Sequence, residues 1–258
     1  MPIALTRPVS SSLDRCELTH LARQPIDVAL ASRQHRDYER VLESLGCSIV
    51  RMEAEPGYPD AVFVEDTAVV LDELAIVTRP GAASRRGEVD SVARALRPYR
   101  HVVALEAPAT LDGGDVLRVG REIYVGRSGR TSDAAIQQLG RLVAPWGYAV
   151  TPVSVSGCLH LKSAVTAIGD RLLLANPSWI DLTQFRDCEV VEVDPGEASA
   201  ANALAIGGEV ICAAAYPRTN ERLARRNLDV VTVDVSEIAK AEGALTCCSI
   251  VFEEGGTA

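Results

Sequence analysis

Short apolar runs alternate with helical spacings along the chain, and no linker or low-complexity stretch interrupts them. Runs rich in β-branched residues at 62–70, 75–77, 102–105, 123–125, 172–175, 190–193, 210–213 and 230–235 have the length of strands. Between them, Tyr38, Val41, Leu42 and Leu45 repeat at helical spacing, with Gly46 placed to end the helix. Val89, Val92, Ala93 and Leu96 do the same before Pro98. Ile136, Leu139, Gly140 and Val143 follow suit before Pro145, behind Thr131 or Ser132 as N-cap. Shorter helices are predicted near 221–226 and 237–241.

A plan repeats within this alternation. Gly120-Arg121-Glu122-Ile123-Tyr124-Val125, Gly169-Asp170-Arg171-Leu172-Leu173-Leu174 and Gly207-Gly208-Glu209-Val210-Ile211-Cys212 each join a glycine turn to a short apolar strand, and residues 70–77 read as a fourth copy. A spacing of roughly 40–50 residues is one at which repeats stack as blades or arrays. No G-x-G-x-x-G joins a strand to a helix and no Walker A motif occurs, which disfavours a nucleotide-binding fold.

Composition narrows the function. The chain has 258 residues, 47% of them apolar, enough to bury a sizeable core in one domain spanning 1–258. Aromatics at 4% and a net charge of −9 argue against base-stacking platforms and phosphate-backbone binding, so no nucleic-acid partner is expected. The acidic balance favours cationic ligands. Seven scattered cysteines without a C-x-x-C pair, no apolar leader and no stretch of about 20 apolar residues point to a cytoplasmic protein with reduced thiols and no membrane partner.

The candidate chemistry lies in a few segments. Thr246-Cys247-Cys248-Ser249 offers a thiol, and Gly157-Cys158-Leu159-His160 offers a distant imidazole; nucleophile and base commonly meet through the fold rather than in sequence. A buried terminal strand would also explain the cysteines, and alternation alone does not say which of the two faces a cavity. His160 reads as a strand start, and His20, His35 and His101 as surface residues. Asp112-Gly113-Gly114-Asp115 fits a tight turn. Glu65-Asp66 interrupts a strand-like run, so at least one carboxylate is placed among apolar neighbours and needs a cationic partner, internal arginine or ligand. Arg85-Arg86 and Arg130 stand near predicted helix N-termini. Each alone reads as a solvated charge, but an arginine beside a helix N-terminus suits a small carboxylate.

Taken in order, Asp27-Val28-Ala29, Arg33-Gln34-His35, residues 60–70 (DAVFVEDTAVV), 78–86 (TRPGAASRR), 110–117 (TLDGGDVL), 157–163 (GCLHLKS) and 245–249 (LTCCS) resemble the dimethylargininases, the dimethylarginine dimethylaminohydrolases of the guanidino-group-modifying pentein superfamily. The resemblance implies an α/β fold, a five-bladed propeller of ββαβ-type repeats with pseudo-fivefold symmetry. It also implies a covalent thiouronium route from N-methylated arginine to citrulline. Cys247 is then the nucleophile, His160 the acid and base, and Asp112 its support. Asp60, Glu65 and Asp66 would serve the cationic end of the substrate, Arg85 and Arg130 its carboxylate, Leu13 and Ala241 mainly backbone contacts, and Phe63 would be a further substrate-binding residue. No cofactor or metal is implied, and the assembly is expected to be a monomer or homodimer. Arginine deiminases typically carry an arginine and an aspartate where this chain has Glu65 and Lys162, which favours methylated over free arginine. A binding propeller without catalysis, a cysteine peptidase and zinc storage are the competing readings.

Charge arithmetic supports such a reaction. A free thiol is about 3% thiolate at neutral pH. A guanidinium about 4 Å from the sulfur, at an effective dielectric of ~20, stabilises the thiolate by about 4 kcal/mol.

Overall fold

The computed structural model describes residues 1–255. The chain opens with β1 (Pro2–Thr6), α1 (Val28–Ser44) and β2 (Ser48–Arg51). Asp27 caps α1, its carboxylate accepting from the Leu30 amide at 2.9 Å, and Ala31, Tyr38 and Leu42 form the buried stripe. The helix ends at Leu45 before Gly46, whose φ of +89° suits glycine. The next unit runs β3 (Ala68–Val70), β4 (Leu74–Val77), α2 (Val89–Leu96) and β5 (His101–Ala104). A third follows the same order with β6 (Val116–Val119), β7 (Glu122–Arg127), α3 (Asp133–Val143) and β8 (Ala149–Ser154). Ser132 caps α3, as its sequence predicts.

A short helix α4 (Leu161–Ala164) then leads into β9 (Val165–Gly169), β10 (Leu172–Ala175) and β11 (Glu189–Glu192), where a turn at Leu182–Gln184 stands in for the helix. The fifth unit is β12 (Leu204–Ile206), β13 (Glu209–Ala213), α5 (Pro217–Ala224) and β14 (Asp229–Val233). Finally α6 (Ser236–Ala239) and β15 (Ser249–Glu253) return the chain to β1.

The described residues thus form five three-stranded sheets of one plan. An antiparallel pair is followed by a parallel third strand: β3-β4-β5, β6-β7-β8, β9-β10-β11, β12-β13-β14 and, closing end to beginning, β15-β1-β2. The repeated glycine turns are the hairpins joining the first two strands of a unit. Gly120, Gly207 and Gly208 take positive φ there, and Arg171 does so in the hairpin after Gly169. Four copies are legible rather than five because β15 and β1 share no hairpin. The first strand of each unit lines one cavity of about 290 Å³. Apolar layers between sheets and helices, such as Leu74, Ile76, Leu111, Ile123, Val125 and Leu139, make up the core.

Several expectations are corrected. The run 62–70 is not one strand: residues Val64–Thr67 form a 3₁₀ turn and only Ala68–Val70 extends. His160 precedes α4 rather than starting a strand. Cys247 and Cys248 belong to a 3₁₀ turn, Thr246–Cys248, before β15. His35 is buried rather than at the surface. No described helix is long and apolar enough to cross a membrane.

Candidate active site

The segments bearing Glu65 and Asp66, Asp112, His160 and Cys247 occupy equivalent places in the fold. Each is the tight turn entering the first strand of a unit: Val64–Thr67 before β3, Gly113–Asp115 before β6, α4 before β9, and Thr246–Cys248 before β15. Ala198–Ala201 before β12 is the fifth such turn and bears no candidate. Side chains more than a hundred residues apart therefore converge. Cys247, His160, Asp112, Asp66, Asp60, Phe63, Arg85, Arg130 and Ala241 line a cavity of about 20 Å³.

His160 sits at the centre of a carboxylate cage. Its Nε2 is 3.0 Å from Asp112 Oδ2, and its Nδ1 faces Asp66 Oδ1 at 3.8 Å. Asp112 Oδ1 accepts from the Gly81 amide at 2.8 Å, and Asp66 Oδ1 from the Gly114 amide at 3.0 Å. Glycine is required at 114 because a Cβ would stand 2.7 Å from the imidazole Nδ1. Asp115, which is fully buried, accepts from the Leu161 amide at 2.9 Å and so fixes the start of the helix behind His160.

The electrostatics follow from this cage. Burial pulls the His160 pKa down, but Asp66, the Asp112 hydrogen bond and Asp115 outweigh it and hold the imidazolium up to about 9. Burial opposes ionisation of Asp66 too, yet His160 and Arg85 take its pKa down to about 2. Cys247 has no such help. Burial first, then Glu65 and Asp66, push its thiol well above the ordinary range. The free site therefore holds a thiol beside an imidazolium.

The arginines divide. Arg85, 5% exposed, gives Nη1 to Asp66 Oδ2 at 2.6 Å and its Nε and Nη2 to Glu88, with the Phe63 carbonyl as a further acceptor. It is a buried strut rather than a solvated charge. Arg130 is half-exposed at the rim, with Nη2 on Thr19 Oγ1 at 2.8 Å.

Glu65 lies on the other side of the turn from the small cavity. Lys162 Nζ holds its Oε1 at 2.5 Å and Thr246 Oγ1 donates to its Oε2 at 2.8 Å. Asn202 completes the layer, donating to Thr246 Oγ1 and accepting from the Thr246 amide. Glu65 and Lys162 line the larger cavity, so neither faces His160 directly. The Leu13 side chain is fully buried in the core of the first unit, and Glu17 reaches the small cavity.

Glu88 and Asn202 escaped sequence reasoning, since a lone polar residue carries no local mark of burial, and Asp115 and Thr246 stood in the candidate segments without a role. Asp66, Asp112 and His160 place three potential metal-ligand atoms within 4.8 Å of one another. Their existing hydrogen bonds and the protonated ring make this an acid–base cluster.

A family profile for eukaryotic N,N-dimethylarginine dimethylhydrolases matches residues 19–253. The chain is 40% identical over 253 residues to the N(G),N(G)-dimethylarginine dimethylaminohydrolase of Streptomyces coelicolor, covering 97% of each. It is 34% identical over 247 residues to the protein of the same name from Pseudomonas aeruginosa, covering 95% of this chain and 96% of that one. A mutant of the Pseudomonas aeruginosa protein complexed with citrulline superposes with a TM-score of 0.92 at 34% identity, over 96% of this chain and 98% of that one. The N-terminal domain of a cyanobacterial arginine dihydrolase, ArgZ, shares the fold with a TM-score of 0.88 at 18% identity, over 99% of both chains.

Proposed function

The chain belongs to the dimethylarginine dimethylaminohydrolase family, and on that premise we propose that Cys247, His160 and Asp112 carry the hydrolysis of N-methylated arginine to citrulline in the small cavity. The observation that carries this is the cage itself: a half-buried thiol and an imidazolium share one cavity with an excess of carboxylates.

The guanidinium of the substrate supplies what Cys247 lacks. Its positive charge beside the sulfur offsets burial and the nearby carboxylates, and the thiol proton leaves for solvent. Cys247 Sγ attacks the guanidinium carbon. His160 gives its proton to the departing dimethylamine as the C–N bond breaks. An S-alkylthiouronium remains on Cys247. The now neutral His160 takes a proton from water, whose oxygen adds to the same carbon; the C–S bond then breaks, the hydroxyl proton passes to the departing sulfur, and citrulline is released with Cys247 again a thiol. Asp112 keeps the ring oriented and its charged form stable throughout. Every atom is accounted for by substrate and water, without a cofactor.

For binding, Asp60 and Asp66 face the cationic groups, Arg130 is the free guanidinium for the substrate carboxylate, and Arg85 holds Asp66 in place. Phe63 and Ala241 wall the cavity. Glu65 acts from beneath through the Thr246 turn, with Lys162 satisfying its charge. The five equivalent units, their first strands around a shared cavity, support a five-bladed propeller acting as one catalytic unit.

The test is citrulline release from asymmetric dimethylarginine and from free arginine, with Cys247→Ser as control. Citrulline and dimethylamine from the methylated substrate, lost in Cys247→Ser, support the proposal. Preferential turnover of free arginine would overturn the specificity, and unchanged turnover in Cys247→Ser would overturn the nucleophile.

A further inference from the structure

Cys247 sits in a turn that has few bonds of its own. Thr246–Cys248 is a single 3₁₀ turn in which the Cys248 amide reaches the Leu245 carbonyl at 3.3 Å and the Ser249 amide reaches that of Thr246. The Cys248 thiol donates to the Ala244 carbonyl at 3.4 Å. The direction of the Cys247 sulfur therefore depends on what grips the turn from outside. Asn202 holds the leading end, accepting from the Thr246 amide at 3.0 Å and donating to the Thr246 hydroxyl at 2.9 Å.

A different element holds the trailing end. Ser249 Oγ and the Tyr38 hydroxyl lie 2.7 Å apart, both buried, although 211 residues separate them in the chain. Among the described residues neither hydroxyl has another hydrogen-bond partner. Tyr38 belongs to an apolar cluster with Leu13, Leu42, Ile238 and Leu245. Such a pair is a weak source of stability, since two apolar groups of the same shape would do nearly as well. What it adds is direction, because a hydrogen bond constrains length and angle where an apolar contact does not.

The helix that carries Tyr38 is a rigid base. On α1, Gln34 Nε2 donates to Asp234 Oδ2 and Ser236 Oγ at 2.8 Å each, and its Oε1 accepts from the Glu237 amide at 3.0 Å. Further along, Glu39 Oε1 accepts from Thr6 Oγ1 on β1 at 2.7 Å, and Oε2 from Arg51 Nη2 on β2 at 2.6 Å. His35 fills the step between, its ring centroid 6.2 Å from that of Tyr38 and its Nδ1 3.8 Å from Glu39 Oε1. Gln34 and His35, to which the reaction assigns no step, thus belong to one buried polar ladder, and Tyr38 extends it to Ser249.

We propose that Tyr38 is a positioning residue for the nucleophile: through Ser249 its hydroxyl sets the trailing end of the Thr246–Cys248 turn, and with it the direction of the Cys247 sulfur. The kinetic part of this statement rests on the hydrolase reading above; the tie itself does not. Attack requires the sulfur within roughly 3–3.5 Å of the guanidinium carbon, and a misplacement of about 1 Å costs on the order of a hundredfold in rate.

The experiment compares the full-length parent with Tyr38→Phe, Ser249→Ala, the double variant and Ser249→Thr. Citrulline release from asymmetric dimethylarginine is measured beside iodoacetamide labelling of Cys247, read by mass spectrometry of its peptide. In Tyr38→Phe and in Ser249→Ala kcat falls about tenfold to a hundredfold while KM stays within about twofold. The double variant is no slower than the slower single one, because both changes cut the same tie. Ser249→Thr keeps the hydroxyl and most of kcat. The alkaline limb of the pH–rate profile stays where the parent has it, since the carboxylates around His160 are untouched. Labelling of Cys247 speeds up about threefold or more in Tyr38→Phe, because a loosened turn presents the sulfur to reagent more often. A lower melting temperature with unchanged kcat overturns the proposal, as does loss confined to KM or loss that multiplies in the double variant. If Tyr38→Phe does not fold, Ser249→Ala carries the comparison. A parent that releases no citrulline would overturn the hydrolase reading; the labelling rates then decide the tie alone, and unchanged rates overturn it.

Discussion

His160 Nε2 and Asp112 Oδ2 lie 3.0 Å apart in a pocket where both side chains are almost wholly buried. Since Asp112 Oδ1 is already held by the Gly81 amide, the carboxylate cannot turn away from the ring without breaking that bond. The pair therefore fixes both the orientation of the imidazole and its charge.

Replacing Asp112 with asparagine removes the charge while keeping an acceptor for Gly81. The expected result is a loss of roughly 10²–10⁴ in kcat, the usual worth of positioned acid–base catalysis. The alkaline limb of the pH–rate profile moves below the value of about 9 held by the intact cage. An unmoved limb would show that Asp112 does not support His160.

Cys247 is a thiol until a guanidinium arrives, because burial and the Glu65 and Asp66 charges raise its pKa. Ultraviolet difference spectra between the parent and Cys247→Ser should show no thiolate band at neutral pH. A slowly turned-over guanidine ligand should bring the band up. A band already present in the free protein contradicts activation by the substrate.

Arg85 and Arg130 are expected to fail in different ways. Arg85→Ala leaves Asp66 and Glu88 buried without their partner and costs about 3–5 kcal/mol in denaturant melts. Arg130→Ala leaves stability within about 0.5 kcal/mol, as for most surface changes, and raises KM. Equal destabilisation by the two would refute the division of roles.

Stability should depend on pH through the cage. His160 is raised from 6.5 to about 9, so its contribution is complete below pH 6.5 and is lost as pH climbs to about 9. Asp66 is lowered from 3.8 to about 2, so its contribution is present above pH 3.8 and is lost on descent to about 2. Melting temperature should fall between pH 6.5 and 9, with a shallower slope in His160→Gln. A parallel slope in the variant would place the titrating group elsewhere.

How much of this was readable in sequence depends on the range over which residues act. Tyr38, Leu42, Val92, Leu96 and Leu139 lie on helical stripes visible within a few turns, and the glycine hairpins announced the repeated sheets. Strands such as Val165–Gly169 and Leu204–Ile206 went unread because runs so short carry little periodicity. The motif residues His160, Asp112 and Cys247 were legible as types, and the resemblance ordered them. Their convergence was not, since Lys162 meets Glu65 and Arg130 meets Thr19 across long stretches of chain. Arg85 looked solvated because nothing local reveals that Glu88 and Asp66 bury themselves around it. The core that the Leu13 side chain fills was hidden for a similar reason, since one apolar residue outside a periodic run gives no sign of its partners.

The sheet that joins β15 to β1 also has a meaning in time. Cys247 stands just ahead of β15, and β15 pairs with β1, far back along the chain. During synthesis, the other four sheets can assemble while Cys247 is still being added. The Cys247 thiol thus comes into place only when β15 meets β1, a long-range closure of the kind that slows folding. A chain cut ahead of Thr246 would keep four sheets and lack the thiol.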